Sequence, residues 1–399
     1  MDRKMRPNPN LIPRFNLDFD FSDLLYSIKS IFNKNIDVAV LDSIFGQRKF
    51  YFTNYGRSAL YVILKSLNLP LKSKIGVPLY SCNVVFDAII KAGFIPKFID
   101  IDDNFTIDPD DLFKKIDDLK AIIVIHTFGR PADMGRIKKI AGDIPIIEDC
   151  AHSLFSEYKD KKTGTFGNFS YFSLAKYISI GGGGMITTNY IDSANIIHQE
   201  ISSLEKSSIN EELKNIFISY ARSFFYHKPW FGLISLPIGL SIEDKVDLMN
   251  KRNFNVSLIN KSDLSLFLHK LSTFKEQVEL QRNNSFFLID ALKENSIKLP
   301  YEKNNTYCNY YLFPILFKNK DERDKASMEL RKRGVDNAKL FSKSPEIGTK
   351  QYGYDQDCPF TEQVADRILT LPNHYTLSNK ELNKIVDITR EVFQNENII

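Results

Sequence analysis

The stretch Ile144-Pro145-Ile146-Ile147-Glu148-Asp149-Cys150-Ala151-His152 reads as a strand ending in an acid, with a histidine just beyond it. Downstream comes Phe172-Ser173-Leu174-Ala175-Lys176, closed by the glycine run Gly181 to Gly184. Upstream, strands and helices alternate. Lys74 to Val77, Pro96 to Ile99 and Ala121 to Ile125 read as strands, and Asn83 to Ala92, Leu112 to Ile116 and Met134 to Ala141 as helices. Such alternation predicts an α/β fold whose large domain has a mainly parallel sheet flanked by helices.

Toward the N-terminus, residues 1–45 form a polar, proline-punctuated arm and then a helix, in which Leu24, Leu25, Ile28 and Ile31 fall at helical spacing. Phe50-Tyr51-Phe52 is a short strand running into the turn Gly56-Arg57-Ser58 and a helix through Leu67. The rhythm stops near Asn189. Residues 191–249 read as a mainly helical, aromatic insertion carrying Phe224-Phe225-Tyr226 and Trp230-Phe231. The expected division is a large domain over 46–250 and a smaller α+β domain over 251–399. The second holds helices through Leu268 to Leu280 and beyond, Arg323 to Arg333 and Asn379 to Phe393, with a strand Tyr310 to Phe317. A chain of 399 residues exceeds the size at which one core keeps growing.

Bulk composition narrows the class. Hydrophobic residues at 43% suffice for packed cores, and a net charge of +4 beside 53 basic and 49 acidic residues gives no global field for nucleic acid. Cys82, Cys150, Cys308 and Cys358 form no C-x-x-C pair, which fits a reducing cytoplasm. The N-terminus has no apolar core of a signal peptide. The window Trp230 to Ile242, interrupted by Pro237, is too short to span a bilayer. A membrane contact through Phe224 to Ile242 competes with burial in a helical pair or a dimer contact, and burial is the favoured reading.

A lysine among apolar neighbours, as Lys176 is in sequence, loses its proton at modest cost and attacks carbonyls. An aspartate at a strand end holds a ring nitrogen protonated. Lys176 and Asp149 together suit pyridoxal phosphate, which needs a Schiff-base lysine and an acidic partner for its pyridinium nitrogen. His152 is placed to bond the cofactor's phenolic oxygen, and Ser173 to add a hydroxyl to its phosphate. Gly56-Arg57-Ser58 opens a helix whose outward amides and dipole favour an anion. Each has a plainer reading: a surface lysine, a capping aspartate, a satisfied core histidine, an ordinary N-cap, a helix-start serine.

As an ordered set these residues resemble the DegT/StrS family of sugar aminotransferases, within the fold type I pyridoxal-phosphate superfamily. The matching motifs are His126 to Met134, Glu148 to His152, Gly164-Thr165-Phe166-Gly167, Phe172-Ser173, Lys176, Gly183-Gly184 and, late in the chain, Arg367 to Pro372. The resemblance implies a homodimer with shared active sites. It also implies transfer of an amino group from L-glutamate to a keto-sugar carried on a nucleotide, for surface polysaccharide or other amino-sugar biosynthesis. Lys176 matches the Schiff-base lysine, Asp149 the pyridine-nitrogen partner, His152 the phenolic-oxygen contact, and Gly56, Arg57 and Ser173 the phosphate contacts. Ser58 belongs to the same turn. Asn255 is the nearest match to an asparagine that reaches the partner subunit's phosphate. A lysine at position 176 also argues against the family's dehydratase branch, where histidine replaces it.

Three departures bear on the site. Arg57 stands where threonine is usual, adding a charge to the cradle. Cys82 stands where an aromatic stacks on the cofactor ring, with Tyr80 near enough in sequence to replace it. The 191–249 stretch is longer and more aromatic than the family's connection. The rival activities are a lyase or amino-acid transaminase on this fold, and a sensor or scaffold without turnover.

Overall fold

A computed structural model describes residues 7–33, 35–240, 253–293 and 297–396. The strands of its large sheet are mostly short apolar runs. In chain order come β1 (Lys49–Thr53), β2 (Lys74–Pro78), β3 (Ile95–Ile99), β4 (Leu119–Ile125), β5 (Ile146–Asp149), β6 (Glu157–Tyr158), β7 (Lys161–Lys162), β8 (Phe169–Ser173) and β9 (Gly184–Thr188). Seven of them form one sheet in the order β1-β9-β8-β5-β4-β2-β3, in which only β9 runs against its neighbours. Ala121 to Ile125 are all buried, as expected of a parallel strand covered on both faces.

The flanking helices are α1 (Phe21–Ser30), α2 (Ala39–Phe45), α3 (Gly56–Ser66), α4 (Asn83–Lys91), α5 (Pro109–Lys115), α6 (Met134–Ala141), α7 (Ile191–Ser202) and α8 (Ile209–Tyr226). Several begin where side chains satisfy the first-turn amides. Asp20 and Asp23 form a capping box on α1, Ser208 and Glu211 another on α8, and Asp133 caps α6. The N-terminal segment thus holds two helices where the sequence showed one. Within α1, Leu24 is buried while Leu25 faces solvent.

After the sheet comes α9 (Lys261–Leu292), which begins before the expected Leu268 and continues beyond Leu280 to Leu292. Its first half packs Leu266, Phe267, Leu271 and Phe274 with Phe172 and Leu174, below the lysine segment. Its last turns place Leu288 and Leu292 in a separate core with Phe313, Ile315, Leu369 and Ile385. One helix therefore serves two cores. The second core also takes in α10 (Lys320–Lys332), α13 (Asn379–Glu396) and an antiparallel pair. That pair is β11 (Phe313–Leu316) with β12 (Ile368–Leu371), following the short β10 (Thr306–Tyr307). Two further helices, α11 (Ser344–Tyr352) and α12 (Pro359–Arg367), lie between α10 and β12. The N-terminal arm docks here too, through Ile12 N–H to Gly334 O at 2.9 Å and Arg14 to Asp336 at 2.9 Å. The boundary expected near Lys251 lies outside the described residues.

Within one chain the aromatic insertion is buried only in part. Phe231 is buried, 2% exposed, against Leu11 and Leu236, but Phe224, Phe225 and Trp230 are 48%, 42% and 38% exposed. The inner face of α8, at Ile216, Ser219 and Ser223, is buried, and helical periodicity turns Phe224 and Phe225 outward. Residues 241–249 of the insertion lie outside the described residues.

Candidate active site

Pairing β5 with β8 sets Asp149 opposite Tyr171, and cross-strand partners share a face. The Tyr171 hydroxyl donates to Asp149 Oδ2, and Ala151 N–H donates to Oδ1 at 2.8 Å. Asp149 is buried, and among the described residues no ion pair closes on it. Burial pushes its pKa above the usual carboxylate value. The Lys176 charge and the Tyr171 bond pull it back only in part.

Just past the end of β8, Leu174–Lys176 makes one 3₁₀ turn, from which Lys176 Nζ reaches His152 Nε2 at 3.0 Å. The enclosed apolar setting expected for this lysine is not found. Phe172 and Leu174 are buried in the core below, while Lys176 emerges on the open side. His152 is buried, and its Nδ1 accepts Phe128 N–H at 3.3 Å. Burial first, and the Lys176 charge second, hold its pKa well below the usual histidine value, so the ring is neutral at physiological pH. Tyr311 stacks on it with centroids 4.6 Å apart.

Register also brings the β1–α3 turn onto the end of β8. Thr53 and Ser173 both pair with Gly184, and a Cβ on Gly184 would lie 2.2 Å from Tyr55 O. Only glycine permits that approach. Gly56 is packed tightly but less so: a Cβ there would sit 3.1 Å from Ser173 Cβ. Helix α3 starts at Gly56 without a side-chain cap, so its opening amides and the half-buried Ser173 hydroxyl share one spot.

The remaining expected residues divide. The Arg57 guanidinium lies between the Tyr55 and Phe254 rings, 5.1 and 5.0 Å from their centroids, so its side chain is held by aromatics. Ser58 is fully buried. Its N–H bonds Tyr55 O, and its hydroxyl turns to Asn255 O at 3.5 Å, which removes it as a ligand contact. Asn255 is exposed, with its carbonyl also accepting from Asn54 Nδ2 at 3.1 Å. Tyr80 does not replace the missing aromatic: it is fully buried among Phe105, Phe128 and Phe341, and its hydroxyl bonds Leu340 O at 2.8 Å. Cys82 is half-buried and lines a cavity of about 200 Å³ with Phe341, Lys339 and Lys343. Tyr311 and Phe341, both stacked on His152, are the aromatics that sequence reading missed.

A rigid floor lies beneath. Glu148 accepts His126 Nε2 at 3.0 Å and the amides of Gly164, Phe166 and Gly167 at 2.9, 2.7 and 2.7 Å. Although burial raises its pKa, the His126 bond and these amides together bring it below the usual value. His126 Nδ1 in turn accepts Ala132 N–H at 3.1 Å. These bonds tie β4, β5 and the loop at 163–167 around Asp149.

The sequence model of the DegT/DnrJ/EryC1/StrS aminotransferase family matches residues 40–390. The chain belongs to that family. It is a pyridoxal-phosphate-dependent aminotransferase. It is 25% identical over 350 residues to GDP-perosamine synthase of Escherichia coli O157:H7, covering 86% of this chain and 85% of that one. It is 24% identical over 343 residues to dTDP-3-amino-3,6-dideoxy-alpha-D-galactopyranose transaminase of Aneurinibacillus thermoaerophilus, covering 83% and 82%. In fold it is similar to a Streptococcus pneumoniae chain solved in PLP and PMP forms, with TM-score 0.74, 18% identity, and 96% and 99% covered.

The residues present fit the cofactor. A buried carboxylate without an ionic partner suits a protonated ring nitrogen. The uncapped start of α3 beside Ser173 suits a phosphate, and a lysine amine stands at a neutral imidazole.

Proposed function

We propose that this aminotransferase moves an amino group from L-glutamate to a keto-sugar carried on a nucleotide, as a homodimer in the cytoplasm. The observation that carries the proposal is the Lys176–His152 contact beside buried Asp149, in a chain similar along most of its length to two enzymes named for nucleotide-sugar products. Pyridoxal phosphate supplies an electron sink for the carbon bearing the transferred nitrogen. Asp149 keeps the ring nitrogen protonated and so sustains that sink. His152 orients the phenolic oxygen as a neutral group. The opening amides of α3, at Gly56 and Arg57, and the Ser173 hydroxyl hold the phosphate. Lys176 anchors the cofactor and then, as a free amine, takes and returns the proton at the reacting carbon. Asn255 supports the dimer: its carbonyl is fastened to its own subunit while its side chain stays exposed to reach a second copy.

The test uses holoenzyme in two halves. Glutamate alone should release one equivalent of 2-oxoglutarate per site and convert the spectrum to the pyridoxamine form. The converted enzyme should then aminate a member of a panel of GDP-, dTDP- and UDP-linked keto-sugars. Nitrogen transfer to free 2-oxo acids but to no sugar in the panel would reject the sugar acceptor.

A further inference from the structure

From Leu213 to Leu240 the chain has no aspartate or glutamate, although it carries 49 acidic residues in all. The charged residues in this stretch are Lys214, Arg222 and Lys228, with His227 beside the last, and all four are exposed. They flank an apolar face. Phe217 and Phe224, and Ile218 and Phe225, lie two helical turns apart on the outer side of α8, and Trp230 and Ile234 extend the same surface. The rings of Phe224, Phe225 and Trp230 touch one another, with centroids 5.4 to 6.4 Å apart, while keeping their outer surfaces open. Among the described residues, acidic side chains meet the cations at the margins: Glu211 near Lys214, buried Asp263 behind Arg222, and Glu381 paired with Lys228.

We propose that this face docks on an anionic lipid bilayer and lies along its surface. Aromatic and aliphatic side chains flanked by exposed cations match the boundary between acyl chains and anionic headgroups. Among the described residues no helix is long and apolar enough to cross a membrane, so the contact is superficial. A second copy is the poorer occupant. A two-fold contact through this face would set a surface carrying Lys214, Arg222 and Lys228 against the same surface of a second copy, with no carboxylate among the described residues inside the face to meet them. The proposal does not depend on which sugar the enzyme aminates.

The test mixes full-length holoenzyme with vesicles of phosphatidylcholine, with or without phosphatidylglycerol. It follows co-sedimentation and the emission of Trp230, the single tryptophan of the chain. Binding to phosphatidylglycerol vesicles with a blue-shifted emission is expected, both reversed by salt. Phe224→Ser combined with Phe225→Ser should abolish binding and leave transamination intact. Lys214→Gln should weaken binding about fivefold, the loss of one cation near a charged surface. This second variant decides the matter if the first does not fold. Failure to bind phosphatidylglycerol vesicles, or equal binding to phosphatidylcholine alone, would overturn the proposal. So would a blue shift that grows with protein concentration in the absence of lipid, which would make the occupant a second copy.

Discussion

Lys176 Nζ meets His152 Nε2 at 3.0 Å, while the other ring nitrogen of His152 is occupied by the Phe128 amide. The histidine is therefore fixed in orientation and held neutral by burial before any ligand arrives. With Nδ1 accepting, the neutral ring carries its proton on Nε2, so what faces the lysine is an imidazole N–H.

Replacing Lys176 by alanine should leave the fold intact, because the side chain is exposed and packs little. Cofactor should still bind but without covalent attachment. Conversion of glutamate to 2-oxoglutarate should fall by at least about 10²–10⁴, the usual worth of a general acid–base group. Stopped-flow spectra of wild type and variant would measure this, and near-normal turnover would remove Lys176 from its role.

Tyr171→Phe removes one of the two donors to a buried carboxylate. We expect a loss of about 1–3 kcal/mol in urea unfolding. A shift in the pH dependence of the bound cofactor's absorbance should accompany it, since Asp149 then binds its proton more readily. An unchanged titration would show that the tyrosine is only a packing element.

At Gly56, alanine would put its Cβ 3.1 Å from Ser173 Cβ, so the start of α3 must move by a few tenths of an ångström. Alanine favours helix over glycine by about 0.8–1 kcal/mol, which offsets part of the strain. Stability should therefore change little, while cofactor affinity falls about tenfold, or about 1.4 kcal/mol. Equilibrium dialysis of the apoenzyme against pyridoxal phosphate would read the difference.

His374 gives a pH prediction. It is buried, with Nε2 facing Pro13 O at 3.2 Å and Nδ1 facing Thr376 Oγ1 at 2.8 Å, and burial lowers its pKa to about 4. An unfolded chain takes up this proton near pH 6.5, and the folded one only near pH 4. The stability is fully present above pH 6.5 and drains away as pH falls through that window, by up to about 3 kcal/mol. His374→Gln should flatten the stability curve between these values. A curve as steep as wild type would place the acid sensitivity elsewhere.

The alternation of strands and helices was legible because each parallel strand is a short apolar run and each flanking helix has its own period. Asp149, His152, Ser173 and Lys176 were legible because strand ends and turns carry them in sequence order. The partners were not. Tyr171 reads as one more apolar strand residue until β5 and β8 are in register, and Tyr311 and Phe341 come from the distant C-terminal half. Tyr80 misled because sequence proximity to Cys82 says nothing of direction, and its hydroxyl found Leu340 O in the core. The length of α9 was hidden because it packs against different cores along its length, which blurs a single apolar stripe. The exposure of Trp230 within the chain was not legible, because an aromatic cluster reads the same in sequence whether it faces a core or solvent.

Lys176 is the residue proposed to carry the cofactor. Borohydride reduction of the holoenzyme, followed by proteolysis and mass spectrometry, tests it directly. One reduced pyridoxyl adduct is expected, on the peptide containing Lys176. An adduct on any other lysine, or a protein that takes up added cofactor without forming one, would contradict it.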